Sequence, residues 1–191
     1  MTTKPAVKRV GSLYVIIGAM FSGKTDALIE YVEKLKKKGK HYKTYKPKRD
    51  NRYAQNKIVA HNKKSIDAER VMHVDEIVSD CHSLRKKHKI VIDEGMIYKG
   101  NVLQAVNAIR LMGHDVVITG LMVKHDNTPW KPFSDLASYA TRIKLCLATC
   151  RYCKSKTATR QIRLVEDESE VVIGGANSYA ATCDTCFIAR C

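Results

Sequence analysis

The chain has 191 residues, a hydrophobic fraction of 45% and a formal net charge of +15. That length suffices for one full hydrophobic core and a small appendage. No apolar run approaches the roughly 20 residues of a membrane span, and residues 1–9 form a basic tail rather than a secretory signal, so a soluble cytoplasmic protein with no membrane partner is expected.

Residues 13–17, Leu-Tyr-Val-Ile-Ile, are a short apolar run of strand-forming residues. Gly18-Ala19-Met20-Phe21-Ser22-Gly23-Lys24-Thr25 follows and fits G-x-x-x-x-G-K-[ST], the phosphate-binding P-loop. Residues 26–35 then carry helical periodicity. Strand, glycine loop and helix together are what the motif requires: the loop turns its N–H groups onto phosphate oxygens, and the helix N-terminus adds partial positive charge. In that context Lys24 reaches the β- and γ-phosphates and Thr25 ligates Mg²⁺.

Residues 41–46 alternate like a strand, and residues 47–56 are polar and rich in turn formers. A helix is expected over 75–84 with Asp75 as N-cap. Residues 89–94 read as a buried strand ending in Asp93-Glu94. A helix over 101–112 stops at Gly113, and 115–119 form another short strand. Residues 120–132 are a polar loop with Trp130, the only tryptophan. A short helix over 134–140 and a strand over 141–149 complete the alternation. Apolar strands interleaved with helices predict a parallel sheet covered on both faces.

Much of the positive charge lies in two runs, residues 34–40 and 85–89. Solvated helix ends explain these runs better than a nucleic-acid groove, and no interleaved aromatics suggest base stacking. Nucleic acid is therefore not the expected partner, although a P-loop zinc protein that binds nucleic acid or nucleotide without kinase activity is the alternative reading.

Cys150-Arg151-Tyr152-Cys153 and Cys183-Asp184-Thr185-Cys186 are two C-x-x-C pairs. In a chain without a secretory signal they point to a tetrahedral zinc site, with a redox pair as the competing reading. The 29 residues between them, 154–182, imply a hairpin with a functional loop. Cys81 and Cys146 read as small buried residues and Cys191 as a free terminal thiol. Three segments result: a basic tail over 1–10, a P-loop α/β domain over 11–148 and a zinc-binding unit over 149–191.

An acid at the end of a buried strand beside the P-loop can hold Mg²⁺. Asp93 suits that task, and Glu94 would orient water in an ATPase or take a hydroxyl proton in a small-molecule kinase.

Taken together, the motifs resemble the zinc-containing (type II) thymidine kinase family. The P-loop with its Met20-Phe21, Asp50-Asn51-Arg52-Tyr53, Asp93-Glu94-Gly95, Lys131-Pro132-Phe133, and Val172-Ile173-Gly174-Gly175-Ala176 with Tyr179 before the second cysteine pair occur in the family's order. The resemblance implies a RecA-like parallel sheet, a C-terminal zinc ribbon carrying a lasso loop, and a homotetramer. It implies ATP, Mg²⁺ and structural Zn²⁺ as cofactors and thymidine or a related deoxynucleoside as substrate. Glu94 would be the general base on the 5′-hydroxyl. Residues Gly18 to Thr25, Asp50, Asn51, Arg52, Asp93, Gly95 and Met96 would serve ATP and metal. Met20, Leu121, Phe133, Val171, Val172, Ile173, Gly174 and Tyr179 would bind the nucleoside, and Cys150, Cys153, Cys183 and Cys186 the zinc.

The chain departs from the family at Met96, where a glutamine is usual, at Ile97, where an aromatic is usual, and at Met122, where an aspartate is usual. Residues 120–130 are longer than the family segment, with His125 or Trp130 as the replacement ring. Thr159 corresponds, within one residue, to a family threonine near the base.

Overall fold

Leu13, Val15 and Ile17 alternate with Tyr14 and Ile16 along the first strand, and both sets are buried. A strand apolar on both faces belongs inside a parallel sheet between helical layers. The computed structural model describes residues 9–50, 54–166 and 174–190. The elements run β1 (Leu13–Gly18), α1 (Lys24–Lys37), β2 (Tyr42–Pro47), β3 (Lys57–Val59), β4 (Ser65–Asp67), β5 (Glu69–Val71), α2 (Val74–Ser83), β6 (Lys89–Ile92), α3 (Val102–Leu111), β7 (Asp115–Gly120), α4 (Lys131–Ser138), β8 (Arg142–Cys146), β9 (Arg160–Arg163), β10 (Tyr179–Thr182) and α5 (Asp184–Ile188).

Six strands form one sheet in the order β5-β2-β6-β7-β1-β8, and every pairing in it is parallel. One face carries Leu13, Val15, Ile17, Ile90, Ile92, Val116 and Ile118 against α2, α3 and α4. The other carries Tyr14, Ile16, Val91 and Val117 against Leu28, Ile29 and Val32 of α1 and Ile58 and Ile66 of the β3–β4 hairpin. A third cluster of Ala148, Cys150, Ala158, Ala181 and Cys183 holds the C-terminal unit, whose β9 and β10 pair antiparallel.

The expected α/β architecture is present. Several boundaries differ for local reasons. Helix α2 starts at Val74 rather than Asp75, because Glu76 accepts the N–H groups of Met72 and His73 at 2.9 and 2.7 Å and His73 takes the cap position. Asp75 instead sits in the first turn, where its charge suits the helix dipole. Helix α4 starts at Lys131, three residues before the expected 134, since Pro132 is well suited to a first turn. The edge strand β8 ends at Cys146 instead of continuing to 149. The β3–β4 hairpin was not expected: strands of three residues are too short for a period-two pattern to stand out.

Asp115, at the start of β7, ties three strands together. Its carboxylate accepts the Ser12 N–H at 2.7 Å, the Ser12 hydroxyl at 2.6 Å and the Lys89 ammonium at 2.5 Å. Burial works against its charge, but these donors hold the carboxyl down at about 2. A depressed carboxyl stabilises the fold above its unfolded value near 3.9 and loses that contribution as pH falls through the folded value. Asp115→Asn is expected to destabilise the protein by about 2 kcal/mol at pH 7. The deficit relative to the parent should shrink between pH 4 and pH 2, which urea melts across that range would measure.

Candidate active site and metal centre

The loops after β1, β2, β6 and β7 all leave the sheet at its carboxyl edge, because the strands are parallel and adjacent. They enclose, with the start of the C-terminal hairpin's second strand, a cavity of about 600 Å³.

The P-loop forms its floor. A Cβ on Gly18 would lie 2.3 Å from the Cys146 carbonyl oxygen, so only glycine lets the loop pass under β8. Gly23 has φ 78 and opens α1 from the left-handed region. Lys24 is buried, and its Nζ donates to the carbonyls of Gly18 at 3.0 Å and Ala19 at 2.7 Å. The Ser22 hydroxyl is buried with no hydrogen-bond partner among the described residues. A buried donor in this condition is costly unless an acceptor completes it. An oxygen of a phosphate bound in the loop is an acceptor that could complete it.

Asp93 and Glu94 line the same cavity as the loop. Asp93 is buried at the end of β6, its N–H donating to the Tyr45 carbonyl at 3.0 Å. Glu94 adopts φ 49, a left-handed conformation uncommon for a non-glycine residue. Its N–H donates to Thr119 Oγ1 at 2.9 Å, and its carbonyl accepts the Ile97 N–H at 2.9 Å. Burial first, then the Asp93, Glu94 and Asp50 carboxylates, push the nearby Tyr98 phenol well above its ordinary range, so it stays protonated.

Of the residues expected from sequence, Met20 to Thr25, Asp50, Asp93, Glu94, Met96, Leu121, Gly174 and Tyr179 line this cavity. Gly18 and Ala19 form the base of the loop beneath it, and Gly95 lies under the Asp93–Glu94 turn with Phe133 against it. Phe133 is 1% exposed in the core and lines a neighbouring cavity of about 400 Å³ instead of this one. Asn51, Arg52, Val171, Val172 and Ile173 lie outside the described residues. Thr159 is turned to Asp184 at 3.4 Å.

Several lining residues had escaped sequence reasoning. Gln161 is 2% exposed on β9. It accepts the Met20 N–H at 3.4 Å and donates to the Val123 carbonyl. It thereby joins the C-terminal hairpin to the P-loop and to the β7–α4 connection. Lys46 is buried at the end of β2, donating to the carbonyls of Ala54 and Lys57 at 3.1 Å each. The β7–α4 connection folds back through a Val123–Pro129 bridge and brings both His125 and Trp130 to the cavity wall. Lys124 Nζ stands 4.9 Å from the centre of the Trp130 ring. Burial, then the Arg163 guanidinium, hold His125 below its ordinary value, favouring the neutral ring. Met96 and Ile97 give the wall an apolar side, whereas Met122 packs into the core. Gln161, Lys46 and Lys124 carry no motif; long-range packing alone selects them.

At the far end of the hairpin the four cysteines Cys150, Cys153, Cys183 and Cys186 converge, with all Sγ atoms within 4.8 Å of one another. Cys153 and Cys183 are 3.6 Å apart at sulfur. Zn–S bonds of about 2.3 Å in a tetrahedron place the sulfurs about 3.8 Å apart, so the cluster fits one zinc ion. Burial raises the Cys150 thiol, but backbone N–H groups from Cys183, Cys153 and Tyr152 bring it down to about 6, preparing a thiolate for the metal.

A parallel α/β sheet, a P-loop and a carboxylate pair lining one cavity, and a four-thiol cluster define a P-loop nucleotide-binding protein whose C-terminal unit could hold a metal ion. The sequence model of the thymidine kinase family matches residues 11–187. The chain belongs to the thymidine kinase family, and the cysteine cluster is compatible with its zinc-containing type. The family supports thymidine kinase activity in general, that is, a deoxynucleoside phosphotransferase using nucleoside and nucleotide substrates. Among the described residues no helix is long and apolar enough to cross a membrane.

The purified protein is expected to carry about one zinc ion per chain. Cys153→Ser should lower that content and, through the Gln161 tie, make residues 158–163 more open to hydrogen exchange. Metal analysis and exchange mass spectrometry test both.

Proposed function

We propose that the chain transfers the γ-phosphate of ATP to the 5′-hydroxyl of thymidine or a related deoxynucleoside. The observation that carries the reading is that the P-loop and Glu94 line one cavity large enough for two substrates to meet. Phosphoryl transfer is chiefly positioning and charge stabilisation, and the residues here divide those tasks.

Lys24 is held on loop carbonyls, and the β- and γ-phosphate oxygens would draw its ammonium from them. The Ser22 hydroxyl and the loop N–H groups complete the phosphate cradle. Thr25 and Asp93 supply hard oxygen donors at the same end of the cavity, the donor set that suits Mg²⁺. Mg²⁺ bound there would neutralise charge on the β- and γ-phosphates. Asp50 lies by the same end, with Asn51 and Arg52 following it in the chain. Glu94 takes the proton of the 5′-hydroxyl as the oxygen attacks phosphorus. Met20, Leu121, Tyr179 and the 171–174 segment receive the nucleoside, with Ile97 and Trp130 as apolar walls and Phe133 supporting from beneath. Met96 contributes a thioether where a family glutamine would offer an amide.

Residues 11–148 are the nucleotide-binding unit in this reading and 149–191 the zinc-braced lasso unit, whose fixed ends lower the entropy lost when the loop orders over substrate. The reading includes a homotetramer. It is supported by β8, the last strand of the sheet among the described residues, on which Ile143 and Leu145, followed by Leu147, are about half exposed. Light scattering giving a monomer would remove that part.

Lys24→Ala is expected to abolish phosphorylation of thymidine in an Mg-ATP assay with product identification. Glu94→Gln should lower kcat by about 100-fold or more while a fluorescent ATP analogue still binds. Undiminished turnover in Glu94→Gln would remove Glu94 as the base.

A further inference from the structure

Thr119 ends an otherwise apolar stretch, Val116-Val117-Ile118, and is 0% exposed. Valine or isoleucine would meet the demands of a buried strand without burying a hydroxyl. The hydroxyl is fully used. Thr119 Oγ1 donates to Asp93 Oδ1 at 2.6 Å and accepts the Glu94 N–H at 2.9 Å. The Thr119 carbonyl accepts the Gly95 N–H at 2.9 Å. One residue of β7 thus grips three consecutive residues at the carboxyl end of β6. A threonine hydroxyl carries a single proton. Spending it on Asp93 leaves its lone pairs for Glu94, and the pattern closes only while that Asp93 oxygen is an acceptor. Glu94 meanwhile stands at φ 49, a conformation that persists only where the surroundings enforce it.

We propose that Thr119 is a positioning residue for phosphoryl transfer, whose hydroxyl aligns the Asp93 carboxylate and locks the Glu94 backbone in the turn that presents its side chain to the cavity. The proposal rests on Glu94 being the base. Thr119 touches neither substrate; it acts through the two acids. Valine keeps the shape of the side chain and removes the hydroxyl. Serine keeps the hydroxyl and removes a methyl group. Alanine removes both without adding bulk.

The test compares the parent with Thr119→Val, Thr119→Ala, Thr119→Ser and Glu94→Gln in steady-state kinetics with thymidine and Mg-ATP. Thr119→Val and Thr119→Ala are expected to lower kcat by about 10- to 100-fold, the scale of a misaligned catalytic group. KM for both substrates should stay within about threefold, since the interaction lost is one felt in the transition state. Thr119→Ser should retain about half of kcat or more, because the hydroxyl is kept. Thermal melts and fluorescent ATP-analogue binding near parental values separate these effects from unfolding. Parental kcat in Thr119→Val or Thr119→Ala beside an inactive Glu94→Gln overturns the role of Thr119 alone. An impairment in Thr119→Ser equal to that in Thr119→Val also overturns it, by showing that shape and not the hydroxyl matters. Full turnover in Glu94→Gln overturns the base assignment and the proposal with it.

Discussion

Ile17 pairs with Gly120 across one parallel ladder, and Ile92 pairs with Ile118 across the next. Because β7 lies between β1 and β6, the chain leaves all three strands at one edge and nearly one level. The phosphate loop, the carboxylate pair and the Thr119 clamp are consequences of that placement. A parallel sheet buried on both faces tolerates no slip, since a shift of one residue would exchange its two apolar sets. The positions of Lys24 and Glu94 relative to each other therefore inherit the rigidity of the core.

Charge is distributed around the cavity in the manner that phosphoryl transfer needs. Lys24, buried on loop carbonyls, and Asp50, Asp93 and Glu94 all line it. The Ser22 hydroxyl, buried with no hydrogen-bond partner among the described residues, raises the cost of leaving the cavity without a ligand. The C-terminal unit closes this arrangement mechanically. Gln161 reaches the P-loop at Met20 from a hairpin whose far end is gathered by four thiols. A metal at the cysteine cluster would thus steady a wall of the cavity through the length of β9.

The departures from the family pattern acquire definite places. Met96 and Ile97 line the cavity, whereas Met122 packs into the core. The longer connection after β7 folds into a small hairpin that presents Lys124, His125 and Trp130 together. The two candidate rings are therefore not alternatives: both occupy the wall, with the Trp130 face covered by the Lys124 ammonium. Phe133 is packed at 1% exposure against Gly120 and Gly95, beneath the cavity wall.

The amino-acid sequence by itself determined the α/β class, the phosphate loop, the acid pair and the four thiols, because each is written locally as an apolar period or a fixed spacing. Helix starts at Val74 and Lys131 escaped it, since a reciprocal cap by Glu76 and a first-turn proline shift boundaries by a residue or three. Only the tertiary structure decided the strand order, the approach of Gln161 to Met20 from 141 positions away, and the grip of Thr119 on residues 24 to 26 positions earlier. The physical reason is that motif spacing records what neighbours in the chain do together. Which buried donor meets which distant acceptor is settled when the layers pack and every polar group enclosed by them has to find a partner.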